Sequence, residues 1–116
     1  MRIESQTVRD VVVVKVFDRL DEETADAFKS EFHRLMNVGN RFVIDFSDLE
    51  FIDSTGLGSI VYCLKSSQAR GGNLKIASLN GRPKKVFEIT RACRIFDTFD
   101  NYYGAVEAFG KSGQNI

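Results

Sequence analysis

Apolar residues recur along the chain with two different periods, and these periods predict strands that alternate with helices. Residues 11–17 are nearly continuous in β-branched side chains, which is typical of a strand covered on both faces. Residues 42–46 form a second apolar run of the same kind. Between them, an apolar stripe at helical spacing predicts a helix over residues 22–38, with Asp21 as its N-cap and Gly39-Asn40 as its end.

The outer segments complete the pattern of an α/β domain with a mostly parallel sheet. Residues 2–8 predict an edge strand, followed by a hairpin turn at Arg9-Asp10. Residues 74–77 predict a later strand, and a turn at Asn80-Gly81 leads to a third helix with Pro83 in its first turn. The apolar residues of the third helix are Val86, Phe87 and Ile89. Those of a short final strand or its approach are Ile95, Phe96 and Phe99, and those of a last helix are Tyr103, Val106 and Phe109.

Length and composition narrow the class of protein. The 116 residues predict a single domain, with an ordered core of about residues 1–110 and a flexible tail over residues 111–116. Sixteen basic and sixteen acidic residues cancel, which argues against a nucleic-acid or membrane partner. Cys63 and Cys93 lack metal-site spacing, so we expect two reduced cysteines and no metal. Without a visible signal peptide or an apolar run of membrane-spanning length, we expect a soluble, cytoplasmic protein.

The candidate chemistry lies in residues 49–61, where an apolar strand ends at Asp53-Ser54-Thr55 and a helix to about Arg70 begins. Side-chain oxygens of these residue types can accept hydrogen bonds from the amides of a first helical turn. Gly56 and Gly58 remove side chains that would keep another molecule from the backbone. A helix N-terminus of this kind can hold an anion, including a phosphate on the serine itself. A simpler interpretation is that Ser54 or Thr55 is only an N-cap.

Three enzymatic interpretations of this stretch are disfavoured. A phosphate-binding loop needs Lys directly after its last glycine, whereas Gly58 is followed by Ser59. A nucleophile elbow needs glycine two residues before the serine, and Ile52 stands there. A Ser-His-Asp system needs a histidine, and the only one, His33, is distant from Ser54 in sequence. It lies in a helical segment, where we expect a surface or boundary residue. We therefore expect a protein that is not an enzyme.

The most basic part of the chain is the predicted third helix and the segment that follows it. A solvated face is the simpler interpretation of this cluster, and docking of an acidic partner is the alternative. The five residues are Arg82, Lys84, Lys85, Arg91 and Arg94.

Residues 51–58, Phe-Ile-Asp-Ser-Thr-Gly-Leu-Gly, resemble the phosphorylation-site motif of the bacterial anti-sigma factor antagonists, which are single-domain members of the STAS family. Residues 11–25 are similar to the second strand, loop and first helix of that family, and residues 71–76 to the turn into a later strand. The resemblance covers most of the chain. It implies a small mixed, mostly parallel sheet with an antiparallel N-terminal edge strand and about four helices. One departure is Asp18, where the family usually has glycine.

The same resemblance implies a switch in partner binding. Ser54 would be phosphorylated, and the unphosphorylated form would bind an anti-sigma factor that is also an ATP-dependent serine kinase. A metal-dependent serine phosphatase would reset the switch. ATP and Mg²⁺ would belong to the kinase, so this chain would need no cofactor. The implied partner-binding residues are Asp21, Asp53, Ser54, Thr55, Gly56, Leu57 and Gly58.

Two other classes of function stay open. The chain could be a constitutive scaffold or regulatory subunit in a signalling or transport assembly, in which Ser54 is never modified. It could also be a small hydrolase or nucleotide-binding enzyme that uses the hydroxyl groups of Ser54 and Thr55. Three observations argue against an enzyme. The sequence offers no evident general base near Ser54, no phosphate-loop lysine and no residues at metal-ligand spacing.

Overall fold

The computed structural model describes residues 1–114 and the side chains of residues 1–110. A five-stranded sheet with the order β1-β2-β4-β6-β7 forms its centre, and β3 and β5 form a separate two-stranded sheet. The strands are β1 (Ile3–Val8), β2 (Val11–Val16), β3 (Asp18–Leu20), β4 (Arg41–Asp45), β5 (Leu49–Ile52), β6 (Asn73–Ala77) and β7 (Thr98–Phe99). The helices are α1 (Ala25–Leu35), α2 (Ser54–Ala69), α3 (Gly81–Ile89) and α4 (Tyr102–Gln114), with a 3₁₀ helix at Ala92–Arg94.

The sheet is mixed, as the family resemblance implies. Strand β1 pairs antiparallel with β2 through a hairpin whose two turn residues, Arg9 and Asp10, have φ of 50° and 68°. Two positive φ values in a two-residue loop give the turn geometry that matches the twist of paired strands. All other pairs in this sheet, β2 with β4, β4 with β6 and β6 with β7, are parallel. Strands β1 and β7 therefore form the two edges.

Both faces of the central sheet are covered, which explains the continuous apolar character of β2. Val12 and Val14 pack in the larger core with α1, α2 and α3. Val11 and Val13 pack on the opposite face against α4. All four valines are at most 3% exposed, so the prediction of a strand covered on both sides is confirmed.

Helix α1 begins three residues later than the sequence predicts, and Asp21 is not its N-cap. Thr24 occupies the N-cap position, and residues 22–24 form a turn. The backbone carbonyl of Asp21 accepts hydrogen bonds from the amides of Thr24 and Ala25, at 3.1 and 2.8 Å. Asp21 therefore stabilises the turn before the helix rather than the first turn of the helix itself.

Three apolar residues assigned to the C-terminal elements are exposed instead of buried. Ile89 is 81% exposed, because the face of α3 that packs inward is formed by Pro83 and Phe87. Ile95 and Tyr103 are 56% and 65% exposed. The tail predicted over residues 111–116 lies only partly within the described residues. Its residues 111–114 belong to α4, which ends at Gln114, and residues 115–116 lie outside the described residues.

Candidate functional site

The N-terminus of α2 is capped by Asp53. Its backbone is extended, with φ of −110° and ψ of −176°, and its Oδ1 accepts a hydrogen bond from the amide of Gly56 at 2.8 Å. The Asp53 carbonyl accepts the amide of Leu57 at 2.9 Å. The interpretation of Ser54 or Thr55 as the N-cap is therefore wrong: they are the first two residues of the helix.

The side chains of Ser54 and Thr55 face solvent. Both residues are exposed, and neither hydroxyl group has a hydrogen-bond partner among the residues that the structure describes. Their amides lie in the first turn, where the helix itself supplies no acceptor. Among the described residues, His33 forms no hydrogen bond with either hydroxyl group, and its Nε2 lies instead 2.9 Å from the hydroxyl of Tyr62. The site therefore presents a free hydroxyl group on an open helix end.

A second hydrogen bond of Asp53 joins this helix end to the loop before α1. Asp53 Oδ2 accepts the amide of Glu22 at 3.1 Å, and the Asp53 amide donates to the carbonyl of Leu20 at 3.3 Å. The loop follows β3, which pairs in parallel with β5, so the two strands deliver the loop and the motif to the same edge. The proximity of the Asp21 loop to Asp53 arises from this short second sheet.

Asp21 is almost completely buried inside its own loop, at 4% exposure. Its Oδ1 accepts the amides of Glu23 and Thr24 at 3.0 and 3.2 Å, and its Oδ2 is 2.5 Å from Nε of Arg19. Burial opposes ionisation, but the hydrogen bonds from Arg19 and from the Glu23 amide outweigh it, so the pKa of Asp21 lies below its ordinary value. Asp21 thus acts on the site by fixing the shape of the loop.

The glycines of the motif differ in what surrounds them. A Cβ atom on Gly56 would lie 2.0 Å from the carbonyl oxygen of Leu20, so this glycine allows α2 to pack against β3. Gly58 is exposed and has nothing within 4 Å of the corresponding position. Leu57 is buried in the larger core at 9% exposure. Of these three residues, only Gly58 offers open backbone to another molecule, so the sequence-based reason given for Gly56 is wrong.

Asp18, the departure from the family pattern, has a left-handed backbone with φ of 66°. Glycine adopts this conformation without a steric penalty, and aspartate is one of the few other residues that tolerate it. The Asp18 amide donates to the carbonyl of Asp48 at 3.0 Å, which anchors the start of β3. The backbone conformation that favours glycine is therefore retained, and the substitution adds a carboxylate at the surface.

Tyr62, which was not identified from the sequence, extends the exposed face of α2 that begins at Ser54. Ser54, Gly58 and Tyr62 are spaced by one helical turn along α2, and Tyr62 is 43% exposed. The Tyr62 ring packs edge-on to His33, with 5.6 Å between centroids, and the Lys29 ammonium lies 5.3 Å from its centre. The signal was available in the sequence, since Tyr62 is the one aromatic residue in α2.

The STAS domain family model matches residues 2–105. The chain belongs to the STAS domain family. A Thermotoga neapolitana protein, provisionally named an anti-sigma factor antagonist, is 38% identical over 102 residues, which are 86% of this chain and 90% of that protein. The anti-sigma-B factor antagonist of Bacillus subtilis is 29% identical, over 83% of this chain and 88% of that protein.

Solved structures agree with the STAS fold described above. The crystal structure of a Thermotoga maritima protein, also provisionally named an anti-sigma factor antagonist, superposes with a TM-score of 0.84 and 34% identity. The match covers 91% of this chain and 92% of that chain. The expected fold, with a mixed sheet and four helices, is therefore confirmed.

Other candidate chemistry in the STAS domain is limited. Among the described residues, no group of three or more His, Cys, Asp or Glu side chains is arranged to hold a metal ion. Cys63 and Cys93 are both free thiols in the structure. Burial raises the pKa of Cys63 to about 12, whereas Cys93 is exposed. No helix in the described part of the chain has the length and apolar character needed to span a membrane.

Proposed function

We propose that this STAS protein is an anti-sigma factor antagonist whose binding to an anti-sigma factor is switched by phosphorylation of Ser54. The observation that carries the proposal is the exposed Ser54 hydroxyl group, which has no partner among the described residues and begins helix α2. The relatives named as anti-sigma factor antagonists support the same class of partner. The chain then acts as a binding module rather than as an enzyme.

The unmodified surface suits close docking. Ser54, Thr55 and Gly58 are exposed, small and uncharged, so a partner can approach the first turns of α2 without displacing a bulky side chain. Tyr62 continues the surface along the helix, and an aromatic side chain contributes a large contact area at low conformational cost. The hydrogen bonds of Asp53 hold both sides of this surface in place before the partner arrives.

The bound anti-sigma factor acts as the kinase that modifies this surface. The Ser54 Oγ attacks the γ-phosphorus of ATP, the bond from phosphorus to the bridging oxygen of ADP breaks, and the hydroxyl proton passes to a base of the kinase. ATP and Mg²⁺ are held by the kinase, so the STAS domain contributes the acceptor hydroxyl group and its position. A metal-dependent phosphatase returns Ser54 to the hydroxyl form by hydrolysis.

The phosphate makes this uncharged surface negatively charged. It adds about 1.5 to 2 negative charges at neutral pH. Asp53, the adjacent residue, is itself acidic, and its two carboxylate oxygens already accept the amides of Gly56 and Glu22. A partner shaped to the neutral hydroxyl group would have to desolvate this charge without compensation. A penalty of about 4 kcal/mol weakens binding roughly a thousandfold, which releases the partner without a change of fold.

The other predicted site residues support this surface in different ways. Asp53 caps the helix that carries Ser54, and Asp21 fixes the neighbouring loop. Gly56 and Leu57 are buried, so they set the position of α2 rather than contacting a partner directly. Thr55 and Gly58 remain the direct neighbours of Ser54 that a partner can touch.

Replacement of Ser54 tests the proposal. Ser54→Ala should bind the anti-sigma factor kinase with wild-type affinity but should not be released when ATP and Mg²⁺ are added. Ser54→Asp should bind roughly a thousandfold more weakly, or beyond the range of calorimetry, because it places an unpaired charge in the interface. Titration calorimetry of each variant against the kinase, with mass spectrometry after ATP addition, provides both measurements.

Ser5→Ala is the matched control, because it removes an exposed hydroxyl group on β1, outside the α2 surface, and should leave both binding and release intact. Phosphate found only on Thr55 or elsewhere would contradict the assignment of Ser54. Equal binding of wild-type protein and Ser54→Asp would instead identify a constitutive scaffold that does not respond to charge at this position.

A further inference from the structure

The segment from α3 through the 3₁₀ helix combines exposed apolar side chains with an excess of positive charge. Ile89, at 81% exposure, is the most exposed large apolar residue among those whose side chains the structure describes, and Ile95 is 56% exposed. We define the α3 surface as these two isoleucines and the cations around them. Its residues are Arg82, Lys85, Ile89, Arg91, Arg94 and Ile95.

Three of these residues share one face of α3, and the other three follow it within the next six positions of the chain. Arg82, Lys85 and Ile89 follow the i, i+3, i+7 spacing of a single helix face, opposite the face that buries Phe87. The chain then turns at Arg91, and consecutive backbone hydrogen bonds carry it to Ile95. Phe87 and Phe96, with ring centroids 5.8 Å apart, hold the helix and the turn together from inside. The α3 surface is therefore part of a rigid unit.

Within the residues whose side chains the structure describes, no ion pair neutralises the cations of the α3 surface. None of the four pairs with a carboxylate in residues 1–110, although cations elsewhere form ion pairs, such as Arg2 with Glu4 and Lys15 with Asp48. Residues 81–96 contain five of the sixteen basic residues of the chain and one of its sixteen acidic residues. The charge of this segment is thus available to an external acidic group.

Arg91 strengthens this interpretation. It follows the C-cap of α3 with a left-handed φ of 61°, a position at which helices usually place glycine. Arginine at this position carries a steric cost that glycine would avoid. Arg91 is exposed, so this turn places its charge at the surface next to α3.

We propose that the α3 surface docks an acidic, amphipathic segment of a partner protein, whose apolar side chains cover Ile89 and Ile95 while its carboxylates pair with Lys85, Arg91 and Arg94. Complementary charge fixes the orientation of such a complex, and the buried isoleucines supply affinity. This inference does not depend on phosphorylation of Ser54, which lies on a different helix.

A protein segment fits these observations better than a nucleic acid or an anionic membrane does. A phosphate backbone would engage the cations and leave the two isoleucines without an apolar partner. The chain as a whole has no net charge, so the acidic remainder of the molecule would oppose approach to an extended polyanionic surface. A short acidic helix can pair with the cations of the α3 surface and can also cover its two isoleucines.

The test uses a fluorescently labelled synthetic peptide with leucines at i, i+3, i+4 and i+7 and glutamates at the other positions, titrated with the full chain. The anisotropy should rise and saturate. A peptide of equal charge with serines in place of the leucines should bind about tenfold more weakly, because it cannot cover the isoleucines. The same loss of about tenfold is expected for Ile89→Ser combined with Ile95→Ser, and for Lys85→Glu combined with Arg94→Glu.

Matched controls come from exposed residues outside the α3 surface. Val38→Ser removes an apolar side chain that is 58% exposed, and Lys65→Glu reverses an exposed charge on α2. Neither should change peptide affinity, and Ser54→Asp should also bind as wild type does. Circular dichroism melting of every variant establishes that each one is folded.

Cys93 reports where the peptide binds, because it is an exposed thiol between Arg91 and Ile95. Bound peptide should slow its modification by a thiol reagent in proportion to the fraction bound, whereas the buried Cys63 is silent in the folded protein. Absence of peptide binding, or binding that the α3 substitutions leave unchanged, would overturn the proposal. So would preferential, substitution-sensitive binding of duplex DNA or of phosphatidylglycerol vesicles, or self-association of the chain through the same isoleucines.

Discussion

One backbone carbonyl, that of Leu20, decides which residue can occupy position 56. A Cβ atom on Gly56 would lie 2.0 Å from that oxygen, which is far below van der Waals distance, so β3 and α2 must separate to admit any side chain. At position 58 the corresponding space is empty. The two glycines lie in one helical turn, but a side chain at position 56 would clash with backbone, whereas a side chain at position 58 would not.

We predict that Gly56→Ala lowers the free energy of unfolding by about 3 kcal/mol, since overpacking against backbone cannot be relieved by a rotamer change. Gly58→Ala should raise the free energy of unfolding by roughly 0.5–1 kcal/mol, because alanine is favoured over glycine inside an exposed helix. Urea denaturation of the two variants and the wild type measures both values. Equal effects at the two positions would show that the approach of Leu20 is not what selects glycine.

At the same scale, the site residues divide into those that the sequence identifies and those that only the fold explains. Residue type and apolar spacing alone place Asp53, Ser54 and Thr55 at a helix start, and the structure confirms that position. The burial of Gly56 is not predictable in this way, because it depends on Leu20, which is distant in sequence. The exposure of Ile89 escapes prediction for a related reason: α3 is short, and Pro83 and Phe87 suffice to fix it.

At the level of elements, Asp53 connects helix α2 with the loop before α1. One carboxylate oxygen accepts the amide of Gly56 and the other accepts that of Glu22. Loss of the side chain therefore releases two amides on two different elements. The presentation of Ser54 depends on this double contact, because both elements lose a hydrogen-bond acceptor if the carboxylate is removed.

We predict that Asp53→Ala lowers the free energy of unfolding by about 2 kcal/mol, the upper end of the range for loss of an N-cap, because a second acceptor is lost as well. Asp53→Asn should lose roughly half of that amount, since its single carbonyl oxygen can still cap the helix but cannot serve both amides. Thermal and urea denaturation provide the comparison. If asparagine proved as damaging as alanine, the charge of Asp53 rather than its hydrogen bonds would be responsible.

Elements with long, regular apolar patterns are predictable from the sequence, and short elements held by distant partners are not. Strands β2, β4 and β6 and helix α2 follow directly from residue type and spacing. Strand β3 has only three residues and exists because it pairs with β5, some thirty positions later in the chain. The late start of α1 has a similar origin, since the Asp21 loop is fixed by its own hydrogen bonds and by Asp53.

On the scale of the whole molecule, the two cysteines provide internal reporters of folding. Cys63 is fully buried between α2 and the sheet, where burial raises its pKa to about 12, and Cys93 is exposed after α3. A thiolate is the reactive form of cysteine, so Cys63 is both inaccessible and protonated near neutral pH.

We predict that a thiol reagent modifies Cys93 rapidly in the folded protein and reaches Cys63 only when the domain unfolds. The rate at Cys63 should increase with urea in parallel with loss of the circular dichroism signal, because the larger core is a single cluster of buried residues. Cys93→Ser isolates the slow reaction. Fast modification of Cys63 without denaturant would indicate local opening of α2, and with it a mobile Ser54 surface.

The two edges of the central sheet differ in a way that bears on aggregation. Strand β7 has only two residues, and β1 is largely polar, with an ion pair between Arg2 and Glu4 at its start. Open sheet edges can recruit strands from other molecules, and short or charged edges resist this. We therefore expect the domain to have little tendency to form intermolecular β-structure through these two edges while no partner is bound.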